Sequence, residues 1–220
     1  MAMLTTEYIL NDIQALTLSN TIADAKLLFN DLVFTHIPVV DNGEFLGLIS
    51  EDDLIVYNKD KTINEIRFSL QTFFVKDTMS WLELLKLFSI NDTNILPVLN
   101  SKNKYLGYYE MADILQILTK TPFLQEEGNV LILAKNKFDF SMSQIVQIIE
   151  SNEAKLYGIF ISGYENQKAI ITVKLYSDNI NDVIHSFRRF EYDIILGVKE
   201  DEYINDLKQR SDYLKKYLSI

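Results

Sequence analysis

The sequence predicts a mixed α/β (α+β) chain: two tandem copies of a βαββα repeat, then a βαββαβ unit and a C-terminal helix. Three observations carry that expectation. An internal repeat sets Pro38 opposite Pro97 and Gly47 opposite Gly107. An apolar pattern of helical spacing precedes each copy. Beyond Gly128 the pattern turns to apolar alternation broken by two more helical stretches.

The repeat is the strongest signal. "THIPVVDNGEFLGLISEDDL" (35–54) aligns with "NILPVLNSKNKYLGYYEMADI" (94–114). Each copy has apolar residues around a proline, a polar turn, and an apolar run that passes through glycine. "DNG" between two apolar runs is a hairpin signal. A proline at a strand start is tolerated because no ladder N–H is needed there. Upstream, Ile22, Ala25, Phe29 and Leu32 recur at helical spacing, and Thr21 with Asp24 fits a capping box. Before the second copy, Thr78 takes the cap position, with Met79, Leu82, Leu85 and Phe88 on one face. "SEDDLIVY" begins a helix that closes the first copy. The copies are assigned to residues 1–60 and 61–122.

"TKTPFLQEEGN" (119–129) reads as a boundary, with Pro122 and Gly128 as breakers. The following unit, 128–199, has the order βαββαβ, the ferredoxin-like arrangement of four antiparallel strands and two helices. Ser141 and Gln144 are placed for a capping box. Ala169, Ile171, Val173 and Leu175 share one strand face, and Ile180, Val183, Ile184 and Phe187 point inward from a helix. Residues 200–220 read as a helix that packs on its own domain or pairs with a partner chain.

The repeat resembles a tandem pair of CBS domains, a Bateman module, on "HIPVVDNGEFLGLISEDDL" and "ILPVLNSKNKYLGYYEMAD". The later unit is similar to an ACT domain in element order and length. A CBS pair followed by an ACT-like unit is similar to AcuB-type proteins linked to acetoin utilisation. The resemblance implies two repeats packed about a pseudo-twofold axis, with an adenosyl ligand in their cleft: AMP, ADP, ATP or S-adenosylmethionine. It implies that Asp53 and Asp113 hold ribose hydroxyls and that Ser50 contacts phosphate. Ile37 and Pro38, then Leu96 and Pro97, would line the adenine pocket. It further implies a homodimer with a regulatory role and no required cofactor. The second copy departs from the pattern, because Glu110 stands where Ser50 stands in the first. An ionised carboxylate donates no hydrogen bond and repels phosphate.

Other readings of these residues stay open. Ser50 and Asp53 also suit a helix start, and Glu51 and Asp52 suit the positive end of its dipole. The same helix start is a natural anion site. Asp113 follows a poor cap, so capping explains it less. His36 reads as a packed or surface ring. A degenerate pair would be a ligand-free dimerisation scaffold. In the ACT-like unit the turn "KNKFDFSMS" has no glycine, which favours dimerisation over amino-acid binding.

Composition narrows the partners. The formal net charge is −10, so nucleic-acid backbones are not expected as partners. There is no cysteine, which excludes disulfides and thiolate chemistry. No apolar run approaches the ~20 residues of a membrane span, and the first residues do not read as a signal peptide. No Walker loop, His-Glu-x-x-His or Gly-x-Gly-x-x-Gly occurs. The expectation is a cytoplasmic, non-enzymatic binding protein whose regulated partner the sequence does not name.

Overall fold

Hairpin chemistry sets the centre of each repeat. In the computed structural model, which describes residues 5–196, strands β1 (His36–Asp41) and β2 (Glu44–Ser50) pair antiparallel. Asn42 and Gly43 turn them, both at positive φ (49° and 78°). Such φ values define the type I′ turn that Asn-Gly favours. In the second copy, β3 (Val75–Lys76) runs parallel to β4 (Ile95–Leu99), which pairs antiparallel with β5 (Tyr105–Glu110). The chain divides into two compact units, Met1–Lys120 and Thr121–Ile220.

Inside the first unit the two copies exchange their leading segments. Leu10 bridges Tyr108 of the second copy, and Leu16 then bridges Val39 of the first. Gln71 bridges Leu48 of the first copy before Val75 joins the second. Each leading segment is therefore stitched to both copies. The copies also meet where Thr35 and Asn94, at equivalent positions, bond each other: Thr35 N donates to Asn94 Oδ1 (2.9 Å) and Asn94 N to Thr35 Oγ1 (3.2 Å).

Helix α1 (Ile22–Asp31) starts on the Thr21–Asp24 capping box and buries Ile22, Ala25 and Phe29. Helix α2 (Trp81–Ile90) corrects the sequence expectation. Its cap is Ser80, not Thr78, and Ser80 forms a capping box with Glu83. That register buries Leu84 and Phe88 and turns Leu82 outward, 62% exposed. A second correction concerns the end of the first copy. "SEDDLIVY" makes only a 3-10 turn, Asp52–Leu54, where the second copy has a full helix, α3 (Met111–Thr119). Leu54 is the one fully buried residue there, followed by exposed Ile55 and Val56 and by Tyr57, which packs only partly buried against the core. Helix α3 buries Ile114 and Ile117 one turn apart, which gives a helix a face to hold. Among the described residues the first copy likewise has no leading strand; its Leu16 makes one parallel bridge.

The second unit begins with a short helix α4 (Pro122–Gln125). Strands β6 (Asn129–Asn136), β7 (Lys155–Glu165), β8 (Lys168–Tyr176) and β9 (Asp193–Leu196) form one antiparallel sheet ordered β7-β8-β6-β9. With α5 (Met142–Ser151) after β6 and α6 (Ile180–Arg189) after β8, this is the split βαβ topology. Ala169, Ile171, Val173 and Leu175 are fully buried on one face of β8, against Ile145, Ile149, Val183 and Phe187. The Ser141 hydroxyl accepts from Gln144 N, but Gln144 does not return the bond, so the expected box is half formed. The expected helix over 200–220 lies outside the described residues. Among the described residues, no helix is long and apolar enough to cross a membrane.

Candidate functional site

The end of β2, the start of β1 and the leading segment of the second copy converge on one cavity. Its volume is about 340 Å³. Thr35 and His36 line it from β1, Ser50, Glu51 and Asp52 from the end of β2, and Gln71 from the crossing segment. Asn91 and Asp92 close it from the second copy.

A connected hydrogen-bond chain joins four of its lining residues through Asp53, which stands behind them. Ser50 Oγ donates to Asp53 Oδ2 at 2.7 Å, and Asp53 N donates back to Ser50 Oγ at 3.2 Å. Gln71 Nε2 donates to the same Asp53 oxygen at 3.1 Å. Gln71 Oε1 lies 3.3 Å from His36 Nε2, and His36 Nδ1 lies 2.9 Å from Thr35 Oγ1. Phe73 packs edge-on against the imidazole, its centroid 5.4 Å away. Burial alone would raise the Asp53 carboxyl; the bonds from Ser50 and Gln71 and the nearby His36 outweigh it and hold Asp53 below the ordinary value. Burial pushes His36 down, against the opposing pull of Gln71, Asp53 and Asp92.

Both shifts have the same sign for stability. A His with a depressed folded pKa stabilises the fold only while neutral, so its contribution is lost as pH falls below its ordinary value of 6.5. The Asp53 contribution is lost lower, as pH falls below 3.8. We expect the urea midpoint of the protein to fall between pH 7 and 5.5, and His36→Gln to flatten that fall. An unchanged slope in His36→Gln would remove His36 from this role.

The sequence-derived residues separate into three groups. Ser50 and Asp53 come together, bonded to each other as in a helix cap. Ile37, Pro38, Leu96 and Pro97 are buried. The Ile37 side chain belongs to the core of the first copy and that of Leu96 to the core of the second, and neither lines the cavity. Beside the cavity from this segment stand His36, the first residue of β1, and Thr35 just before it. Asp113 lies in the first turn of α3, next to Glu110 and away from the cavity. Glu110 makes no capping bond. Burial, then repulsion from Asp113 and Asp12, raises its carboxyl above the ordinary value. Asp12 arrives on the leading segment and accepts from Tyr108 Oη at 2.7 Å.

Sequence reasoning missed Gln71, Asp92 and Asp12. Each comes from the other copy or from a leading segment, so no local motif marks it. Among the described residues, no lysine or arginine lines the cavity, while Glu51, Asp52 and Asp92 do. Among the described residues, no three His, Asp or Glu side chains gather to hold a metal ion.

The family model for the CBS domain matches residues 6–60 and 67–120. The first unit is a tandem pair of CBS domains. A curated relative, an uncharacterised protein of Methanocaldococcus jannaschii, is 29% identical over 101 residues, 45% of this chain and 34% of that protein. The chain thus matches about a third of the relative's length. Among solved structures, a CBS domain pair/ACT domain protein from Thermotoga maritima is similar at 23% identity and TM-score 0.49, over 54% of this chain and 98% of that one. CBSX2 in complex with AMP is similar at 18% identity and TM-score 0.44, over 53% and 96%. The CBS domain of a bacterial CNNM/CorC family Mg2+ transporter in complex with ATP is similar at 17% identity and TM-score 0.42, over 51% and 84%.

Proposed function

We propose that this chain is a cytoplasmic, non-enzymatic regulatory protein whose CBS pair binds an adenosyl ligand in the cavity of the first copy. The observation that carries the reading is the hydrogen-bond chain Ser50–Asp53–Gln71–His36, contributed by both copies, of which Ser50, Gln71 and His36 line one cavity. Asp53 is the ribose anchor and Ser50 the donor nearest to any phosphate. Ile37 and Pro38 offer backbone groups to the base. Leu96, Pro97 and Asp113 are the corresponding elements of the second copy, where Glu110 disfavours phosphate. Regulation is a population shift: a ligand that prefers one arrangement of the pair favours it. The functional division runs 1–60, 61–122, 128–199 and 200–220. The unit 128–199 is ACT-like and serves homodimerisation; nucleic acid and membrane are not partners.

The acidic lining ranks the ligands. Adenosine and S-adenosylmethionine meet no net repulsion from Glu51, Asp52 and Asp92, whereas AMP and ATP do. A ligand at ten times its dissociation constant adds about 1.4 kcal/mol, which moves a melting transition by about 3–6 °C. We expect such a shift with adenosine or S-adenosylmethionine, a smaller one with AMP or ATP, and its loss in Asp53→Ala. No shift with any of the four at millimolar concentration would sink the reading.

A second reading is a ligand-free dimerisation scaffold. It is favoured by one observation: Ser50 and Asp53 already satisfy each other. A dimer that persists with no response to any adenosyl compound would support it.

A further inference from the structure

The second unit carries a separate cavity on its helical layer, about 340 Å³, between α5 and α6. Its chemistry is opposite to that of the first unit. Gln144, Gln147 and Ser151 face it from α5, and Ser186 and Arg189 from α6. Ile148 and Phe190 give it an apolar wall. In a chain of net charge −10, none of the described residues that line this cavity is a carboxylate, and Arg189 is the one charged residue among them.

One donor, Gln144, is oriented, and the side chains of the exposed Gln147, Ser151 and Arg189 have no protein partner among the described residues. Gln144 Oε1 accepts from Tyr192 Oη at 3.1 Å and from Lys135 Nζ at 3.4 Å, which directs its amide nitrogen elsewhere. Lys135 is itself tied to the Phe190 carbonyl at 2.8 Å, so a second cation braces the rim. Asn152 and Ser186 bond each other at 3.1 Å, and Asn152 also donates to the Ile148 carbonyl at 2.6 Å, which fixes the floor. Among the described residues, the ion pairs are Lys104–Glu44 and Lys168–Asp193; Arg189 takes part in neither. The hydrogen bonds of the described residues likewise leave the Gln147 amide and the Ser151 hydroxyl without a partner.

We propose that this cavity binds a small organic carboxylate with a short apolar body. The planar guanidinium of Arg189 takes the carboxylate through two parallel bonds, as Arg does preferentially. The amides of Gln144 and Gln147 and the Ser151 hydroxyl supply further donors, and Ile148 and Phe190 cover the body. A volume of about 340 Å³ sits at the small end of ligand sites, which suits a compact metabolite. With no carboxylate in the lining, nothing answers an ammonium group, so a free acid is preferred over the corresponding amino acid.

The test is calorimetric titration of the full chain with isovalerate, succinate, valine and inorganic phosphate. Isovalerate or succinate should bind saturably, and valine, which is isovalerate plus an ammonium group, at least several-fold more weakly. Arg189→Gln should weaken the carboxylate about tenfold or more without changing the circular dichroism spectrum. Arg189→Lys, which keeps the charge and loses the fork, should fall between the two. Phosphate or valine binding tighter than isovalerate would overturn the proposal. So would equal carboxylate affinity in Arg189→Gln, or no saturable binding by any carboxylate at 10 mM or below, a ceiling on the order of the weakest specific sites.

Discussion

Gly107→Ala should destabilise the CBS pair by about 3–4 kcal/mol and lower its melting transition by about 10 °C. Gly107 sits at φ 142°, and a Cβ there would lie 2.0 Å from the Leu10 carbonyl oxygen and 3.1 Å from Ile9 Cγ2. The obstacle is backbone, so no side-chain rotation relieves it. That backbone is also engaged: Leu10 N donates to the Tyr108 carbonyl at 2.9 Å, and Tyr108 N to the Leu10 carbonyl at 2.8 Å. Adding one methyl group therefore breaks the stitch that ties the leading segment to the second copy. Gly43→Ala is the control. It too has positive φ, 78°, but nothing lies within 4 Å of its Cβ. It should cost only about 1 kcal/mol of backbone strain. Equal losses in the two variants, read from urea unfolding, would show that close approach is not what Gly107 supplies.

The glycine pairing was legible in the sequence because it repeats; its reason was not. The leading segment that presses on Gly107 carries no motif, and its crossing between copies is decided by long-range pairing. The hairpins and the Thr21 box were legible because their signals are local: Asn-Gly at a two-residue turn, and a carboxylate three positions after a hydroxyl. The same rule would have placed the start of α2 at Ser80, where Glu83 stands three positions on; Thr78 has no such partner. The short turn after Ser50 was misread because its cap residues promise a helix, while only partly buried Tyr57 follows Leu54 where the second copy buries Ile117 fully after Ile114. For the cavity, Ser50 and Asp53 were visible as a motif. Gln71, which joins Asp53 to His36, was not, because it belongs to neither repeat's signature. Ile37 came from the family resemblance and His36 read as a packed or surface ring, yet it is His36 that stands beside the cavity.

Glu110→Ser should stabilise the protein by about 2 kcal/mol at pH 8, about half from a restored N-cap and the rest from removing a carboxylate that burial, and then repulsion, opposes. At the matching place in the first copy, Ser50 accepts from Asp53 N at 3.2 Å and donates to its carboxylate at 2.7 Å. Glu110 makes neither bond, and it faces Asp113 and Asp12. Its carboxyl is raised by burial and then by those two charges, so the folded state holds its proton more tightly than the unfolded state. Such a group lowers stability as pH rises through its titration, and the penalty vanishes once both states are protonated. The gain from Glu110→Ser should therefore shrink toward the cap contribution alone, about 1 kcal/mol, at pH 4. Glu110→Gln removes the charge without supplying the cap, so it should gain at pH 8 and gain nothing at pH 4. Urea unfolding at both pH values separates the two parts. An identical gain from Glu110→Ser at pH 4 and pH 8 would mean that neither burial nor the charges of Asp113 and Asp12 oppose the ionised carboxylate at this position. A larger AMP-induced melting shift in Glu110→Ser than in the wild type would tie that repulsion to the second copy's refusal of phosphate. An unchanged shift would leave the first copy's cavity as the seat of any adenosyl response, with Glu110 acting on stability alone.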